Sequence, residues 1–277
     1  MRKTTTKLWI GLGTVALLGA GAAQAADHGA MTHAAQAPIQ IAATQGGEGG
    51  EGGEGGEAGH EHDAFSKVSA DEALVGRLLL LKGHLMVGWS LYEAGRLDDA
   101  APHFLHPTEE IYESIKKPLS AKKIRQFDKD LKALATLVKQ KKPAAEVGAR
   151  QAALLDTVEK AIGKAGKAQP GFVMAVLPSV LDQAQDEYKE AIEGGRIANA
   201  VEYQDAHGFV LAARDYASGN AKALSAKDAA AQGRLSQHLE ELAKAFPSAV
   251  PPQSPVMEHG AFQATVSRIE LLKGSFR

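Results

Sequence analysis

The apolar positions along residues 65–277 repeat with helical spacing. Ser69-Ala70-Asp71-Glu72 has the pattern of a capping box and predicts the start of a long helix. Its apolar positions include Leu74, Leu78, Leu81, Leu85 and Trp89. Gly95 predicts the end of this helix, because glycine tolerates the left-handed conformation that closes many helices.

The next segments continue the helical pattern. A second helix is predicted over about 97–117 and is interrupted at Pro107, because proline lacks a backbone N–H and disfavours helix in the preceding residue. A third helix is predicted after Ser120, with a buried seam at Ile124, Phe127, Leu131, Leu134 and Val138. Pro143 ends it and suits the first turn of a fourth helix. No alternating strand pattern occurs in the sequence, so an all-α fold is predicted.

The second half of this region repeats the first. Three pairs of short segments match in the same order: "EAGRLDDA" at 93–100 with "EGGRIANA" at 193–200, "LSAK" at 119–122 and 224–227, and "GARQAA" at 148–153 with "GAFQAT" at 260–265. The repeat predicts two duplicated four-helix units, about eight helices, packed together. The first unit is expected over 65–166 and the second over 167–277. The alternative is chance similarity between alanine-rich helices.

The N-terminal segment has the pattern of a secretory signal peptide. Arg2, Lys3 and Lys7 precede an apolar run over 8–22 and a small-residue cleavage site at 23–25. We therefore expect residues 1–25 to be removed and the protein to be periplasmic or secreted. The apolar run is too short to predict a membrane span with assurance, and no other stretch is long and apolar enough, so no span is expected in the mature chain.

Residues 26–64 form a Gly/Glu-rich tail that is predicted to be disordered, because its stretch "GGEGGEGGEGGEAGHEHD" at 46–63 has almost no apolar content to offset the entropy of ordering. Without the three signal-segment cations and the seven acids of the tail, 28 of 31 basic and 26 of 33 acidic residues remain. This nearly neutral balance argues against nucleic-acid binding. The chain has no cysteine, which excludes disulfides, thiolate metal sites and c-type haem attachment.

The stretch "HFLHPTEEIY" at 103–112 is the first candidate metal site. On a helix, His103, His106 and Glu110 fall at i, i+3 and i+7 and share one face, and Glu109 stands three residues after His106. Imidazole and carboxylate are ligands for zinc, copper and non-haem iron. The alternative is a solvated polar face with His106 as an imperfect N-cap.

His84 lies in a helix that is apolar nearly all round, and it is the same number of residues from Gly95 as His106 is. In an antiparallel hairpin the two histidines would sit at similar height, so we expect His84 to join the site; the alternative is a core histidine. The repeat places Ala184 opposite His84, which favours a function particular to the first unit. His207 is a further candidate ligand, although a structural hydrogen bond with Tyr203 is the alternative.

An exported, cysteine-free chain of two four-helix units resembles the imelysin-like family of periplasmic proteins, which carries a Gly-x-His-x-x-Glu motif. His106-Pro107-Thr108-Glu109 supplies the His-x-x-Glu part, but Phe104 stands where the glycine should be. Gly83-His84 also lacks the later glutamate, because Val87 occupies that place. The resemblance implies a link to iron uptake.

No nucleophile elbow, His-Glu-x-x-His pair or phosphate loop occurs, so an enzyme is not predicted. The leading hypothesis is a periplasmic metal-binding protein for transition-metal uptake or homeostasis, with iron, copper or zinc as the ion and an envelope transporter or another periplasmic protein as the partner. The alternative is a non-catalytic envelope scaffold with a helical-repeat-like surface, since "LYEAGRLDDAAPHFLHP" slightly resembles one tetratricopeptide unit.

Overall fold

The computed structural model describes residues 64–277; the predicted signal peptide and residues 26–63 of the predicted tail lie outside them. The helices are α1 (Ala70–Glu93), α2 (Leu97–His106), α3 (Tyr112–Ala121), α4 (Asp128–Lys139), α5 (Ala144–Ala165), α6 (Pro170–Glu190), α7 (Ala200–Gly219), α8 (Ala221–Lys227), α9 (Ala229–Ala243) and α10 (His259–Leu271). A short hairpin, β1 (Ile192–Glu193) and β2 (Arg196–Ile197), links α6 to α7. The predicted all-α fold is confirmed.

The helix α1 begins and ends where the sequence predicts. Ser69 Oγ accepts a hydrogen bond from the Glu72 N–H, and Glu72 Oε2 accepts one from the Ser69 N–H at 2.7 Å, which completes the capping box. Beyond its C-terminus Gly95 has φ +76°, a left-handed conformation that a side chain would disfavour. Both signals are local, so the sequence alone is sufficient to fix these ends.

The helix α1 lies at the centre of the fold. It packs against α2, α5, α6 and α7, and Leu78, Leu79, Leu81 and Leu85 are fully buried. Within residues 64–277 it is the one helix long and apolar enough to cross a membrane, but 78% of its most apolar stretch is buried inside the fold. Burying each leucine stabilises the fold by about 1.5–3 kcal/mol. The apolar composition of α1 is therefore explained by its place in the core.

The helices pack in two rings with the same order. In the first, α1 contacts α2 and α5, and α4 closes the ring by contacting both of them. In the second, α6 contacts α7 and α10, and α9 contacts both. The rings meet where α1 packs on α6 and α7. This common order is what duplication of a four-helix unit predicts.

The predicted interruption at Pro107 is confirmed, because the α-helix α2 ends at His106 and five residues of π-helical turn follow before α3. The chain passes from α2 to α3 through one wide turn, Pro107–Ile111, in which the Tyr112 N–H donates to the Pro107 carbonyl. His106 keeps helical angles (φ −48°, ψ −45°) and is not an N-cap. The wider turn fits a proline, which has no backbone N–H to donate to the preceding turn. Such π-turns often accompany functional sites.

The predicted start of the third helix is too early, because α3 extends to Ala121 and α4 begins only at Asp128. Ile124 and Phe127 are buried although they belong to the connecting loop (6% and 1% exposed). Their backbone is fixed differently: the Phe127 N–H donates to the Tyr112 hydroxyl at 2.8 Å. The apolar spacing therefore predicted correctly that these two positions are buried, but it did not show whether they belong to a helix or a loop. Ala64, which the predicted tail included, is also buried.

Candidate metal site

Two histidines of the first ring and an aspartate of the second converge in the core. His84 lies on α1, His103 on α2 and Asp205 on α7, and one ligand atom from each lies within 4.8 Å of the other two. Asp205 Oδ1 lies 2.7 Å from His84 Nδ1 and 2.8 Å from His103 Nδ1. All three side chains are at most 4% exposed, so the cluster is shielded from water.

Glycines allow these helices to approach so closely. Where α1 crosses α7, a Cβ on Gly83 would stand 2.7 Å from the carbonyl group of Gly208, and the backbones could not approach further. A Cβ on Gly88, five residues on, would stand 3.0 Å from the Cβ of His103. Because Gly83 precedes His84 and Gly208 lies three residues after Asp205, the crossing brings these two side chains into contact.

His103 is held at both ring nitrogens. Nδ1 lies 2.8 Å from Asp205 Oδ1, and Nε2 lies 2.8 Å from Gln204 Oε1. A neutral imidazole carries only one N–H, so both hydrogen bonds at once require the imidazolium. If His103 is neutral and donates from Nε2 to Gln204, the lone pair of Nδ1 faces the Asp205 carboxylate. A cation bound between these two atoms would match that arrangement.

His84 presents an unsatisfied nitrogen to the same carboxylate. Its Nδ1 lies 2.7 Å from Asp205 Oδ1, but the direction is unsuited to a hydrogen bond, and Nδ1 has no hydrogen-bond partner in residues 64–277. The ring is held edge-on against Phe209, with centroids 5.0 Å apart. A buried polar atom without a partner destabilises a fold. The donor atom fits a metal ligand, because coordination would satisfy it.

His106 lies beside the cluster and nearer to solvent. Its Nδ1 is 3.6 Å from Asp205 Oδ2, and its side chain is 16% exposed. Burial by itself lowers the pKa of His106, but the hydrogen bond and charge of Asp205, with the charges of Glu110 and Glu202, outweigh burial and raise this pKa. His106 is therefore more readily protonated than an ordinary histidine.

Asp205 is the negative centre of the site. Burial raises its pKa, but the charges of His84 and His103 and the hydrogen bonds from His103 and His106 outweigh burial and hold the pKa of Asp205 well below its usual range. Asp205 thus stays ionised although it is buried. An ionised carboxylate beside three imidazoles can bind a transition-metal cation through oxygen and nitrogen.

The predicted site residues fall into two groups. The structure brings together His84, His103 and His106, at matching heights of the α1–α2 hairpin, with ring centroids of His84 and His106 5.6 Å apart. Glu110 is partly exposed and acts on His106 through its charge, whereas Glu109 is exposed and belongs to neither group of candidate metal ligands in the described part of the chain.

His207 lies outside the cluster. Its ring stacks on Phe246, with centroids 5.1 Å apart, and burial, then the charge of Arg214, lowers its pKa to about 4. The alternative hydrogen bond between His207 and Tyr203 is wrong, because the Tyr203 hydroxyl donates to the Ser248 carbonyl at 3.2 Å. His207 is thus a neutral histidine packed on an aromatic ring.

Asp205 and Gln204 are the site residues that sequence reasoning missed. Both lie on α7 in "VEYQDAHGFV" and are buried, as is Glu202 in the same stretch. Three buried polar residues in four positions of one helix are unusual, because buried polar groups need partners. Their partners lie on other helices, and the spacing within α7 could not reveal them.

Residues 163–273 match a family model described as the iron permease-associated 4-helix bundle domain. The match spans the second ring, from the end of α5 through α10, and so includes Gln204 and Asp205 but none of the histidines of the first ring. No curated protein and no solved structure matches the chain significantly. The match supports a helical bundle with a link to iron permeases, while the narrower imelysin-like resemblance stays a prediction.

Proposed function

We propose that this protein binds a transition metal in the cell envelope and serves iron uptake beside a permease, with His84, His103 and Asp205 as the ligands. The convergence of these three side chains in the core carries the proposal. The family match of residues 163–273 favours iron over other metals. The signal-peptide pattern of residues 1–25 favours the periplasm.

The donor set fits ferrous iron. Two imidazoles and one carboxylate on one side of an ion, with other positions open, are the ligands of many non-haem Fe(II) sites. The same atoms bind zinc and copper, and copper(II) binds nitrogen and oxygen donors more tightly than iron(II) does. Selectivity for iron would therefore rest on supply and on a partner rather than on affinity alone.

Each residue has a distinct part in binding. The Asp205 carboxylate supplies the negative charge, while Gln204 accepts a hydrogen bond from His103 Nε2 and so fixes the ring with Nδ1 towards the ion. If His103 is an imidazolium in the metal-free protein, binding displaces the proton between its Nδ1 and Asp205. His106 is the most exposed of the three histidines and lies beside the buried ligands, on the side nearer to solvent.

The partner of this site is proposed to be an envelope iron permease, on the description of the matching family. We propose a carrier or accessory protein and not an enzyme, since the ion itself is the cargo. Release to a partner requires opening of the α1–α7 crossing, because His84 and Asp205 are both closed off from solvent there.

The test is metal titration of tag-free protein in which the four histidines of the Gly/Glu tail, His28, His33, His60 and His62, are each replaced by Gln so that they cannot compete as ligands. Fe²⁺ under anaerobic conditions, Zn²⁺ and Cu²⁺ are each titrated by calorimetry. We expect a single site with a Kd of about 1 μM or tighter, which corresponds to about 8 kcal/mol. Bound metal should also raise the melting temperature.

The matched control separates the cluster from other histidines. His84→Ala with His103→Ala should abolish the calorimetric signal, whereas His207→Gln, outside the cluster, should keep it. If none of the three metals binds tighter than the micromolar range, or if the double variant binds as the parent does, the site is not a metal site. A scaffold function would then be favoured.

A further inference from the structure

Three glutamates converge beside the histidine cluster. Glu187 and Glu190 lie on α6 and Glu202 lies on α7, and one carboxylate oxygen from each lies within 4.8 Å of the other two. No salt bridge joins any of them to a basic side chain in residues 64–277. Three carboxylates this close repel one another unless protons or a cation neutralise them.

Glu202 presents a buried oxygen that no N–H or hydroxyl group within residues 64–277 satisfies. The residue is 3% exposed, and its Oε1 accepts a hydrogen bond from Asn199 Nδ2 at 3.2 Å. Its Oε2 is buried and accepts no hydrogen bond from an N–H or hydroxyl group within residues 64–277, so this carboxylate otherwise depends on a proton shared with Glu187. A buried carboxylate whose only partner at this oxygen is another carboxyl group is costly to the fold, and a bound cation would satisfy both carboxylates.

The two carboxyl groups on α6 have raised pKa values, which is expected where several carboxylates lie close together without a cation. Burial, a hydrogen bond with Glu202, and the charges of Asp205 and Glu202 raise the pKa of Glu187 well above its usual range, although a hydrogen bond from Gln183 opposes this. Burial and the charges of Glu202 and Asp186 also raise the pKa of Glu190. The protons held there are what a cation would replace.

From this geometry we propose that Glu187, Glu190 and Glu202 form a second cation site, which takes a hard, oxygen-seeking metal ion. Carboxylate oxygens without nitrogen or sulfur donors suit Mg²⁺, Ca²⁺ and Mn²⁺. The histidine cluster presents mainly nitrogen, so the two sites differ in the class of ion they prefer. The exposed Glu190 forms the open side of the second site, and the buried Glu202 forms its floor.

The two sites share the helix α7. Glu202 and Asp205 are three residues apart and lie on one face, so an ion at the glutamates stands close to the histidine cluster. The charge of Glu202 reaches His106, and the charge of Asp205 reaches Glu187. The second site does not depend on metal binding by the histidines, because its ligands are separate.

Mn²⁺ is the probe, since the electron paramagnetic resonance signal of the free ion disappears on binding. In tag-free protein we expect one Mn²⁺ ion with a Kd of about 0.1 mM or tighter, at the tight end of weak extracellular Ca²⁺ sites. Glu187→Gln with Glu202→Gln should weaken binding at least about tenfold. Glu190→Gln, at the exposed edge, should weaken binding without touching the core.

The controls distinguish this site from the histidine cluster. Glu193→Gln with Glu270→Gln replaces two glutamates outside the cluster and should leave Mn²⁺ binding unchanged. His84→Ala with His103→Ala should also retain Mn²⁺. Three results would overturn the proposal: a wild-type Kd weaker than about 0.1 mM, unchanged binding in both cluster variants, or loss of Mn²⁺ in the histidine variant.

Discussion

Gly83 and Gly208 face each other at the point where α1 crosses α7, and neither has room for a side chain. A Cβ on Gly83 would stand 2.7 Å from the Gly208 carbonyl oxygen, and one on Gly208 would meet the Gly83 carbonyl group. The obstructing atoms are backbone, which cannot rotate away as a side chain can. The contact between His84 and Asp205 therefore depends on two glycines that carry no chemistry themselves.

Gly208→Ala should separate α1 from α7 and weaken both the fold and the proposed metal site. We expect a loss of about 1–3 kcal/mol in the free energy of unfolding, typical of overpacking, with a larger Kd for Fe²⁺ or Zn²⁺. Denaturant unfolding and calorimetry measure the two effects.

Gly163→Ala and Gly233→Ala are the matched controls, because a Cβ at either position meets nothing within 4 Å. Each should be neutral or stabilise its helix by up to about 1 kcal/mol. If Gly208→Ala were as stable as these controls, the close crossing would not be a constraint on the fold.

Gln204→Leu tests how the chain orients a ligand. The substitution removes the oxygen that lies 2.8 Å from His103 Nε2 but leaves all three proposed ligands in place. Loss of such an outer hydrogen bond weakens metal binding by about 10–100-fold. We therefore expect the same stoichiometry in calorimetry with a larger Kd, whereas unchanged affinity would show that Gln204 does not position the ring.

Local signals explain which parts of the fold could be predicted. The capping box at Ser69 and the glycine at Gly95 act within a few residues, so the ends of α1 follow from the sequence. The seam through Ile124 and Phe127 misled because burial and helix share one spacing, and a loop can also bury side chains. The interruption at Pro107 was predicted, but its form was not, because a π-turn tolerates a proline that an ordinary helical turn does not and so His106 stays helical.

The candidate site could be predicted only in part. His84 and His106 lie on neighbouring helices of one hairpin, so counting from Gly95 was sufficient to place them together. Asp205 reaches them through the α1–α7 crossing, which joins residues more than a hundred positions apart and depends on packing between the two rings. The spacing of residues within one helix cannot predict a contact between two helices that lie far apart in the sequence.

Acid should destabilise the fold through His207. Burial lowers the folded-state pKa of His207 to about 4, below the value of about 6.5 for an unfolded histidine. As pH falls from 6.5 towards 4, the unfolded chain gains this proton first, so stability falls across that range. The size is on the order of 2–3 kcal/mol.

The difference between wild type and His207→Gln isolates this effect, since both retain the histidine cluster. Denaturant unfolding of chelator-treated protein at pH 7 and at pH 4.5 should show a smaller acid-induced loss in the variant. Equal losses in the two proteins would mean that His207 is not the group that titrates in this range.

Glu187→Gln should stabilise the chelator-treated protein at neutral pH while weakening Mn²⁺ binding. Burial, the hydrogen bond with Glu202 and nearby negative charges raise the folded-state pKa of Glu187, so its ionisation opposes folding as pH rises above the unfolded value of about 4.5. Glutamine keeps the shape of the side chain and cannot ionise, which removes that unfavourable free energy.

Denaturant unfolding at pH 7 should give a higher midpoint for Glu187→Gln than for wild type, whereas the exposed Glu193→Gln should leave the midpoint unchanged. A fall in the midpoint would show that the Glu187 carboxylate stabilises the fold, as a structural group would, and that the cluster is not strained for binding.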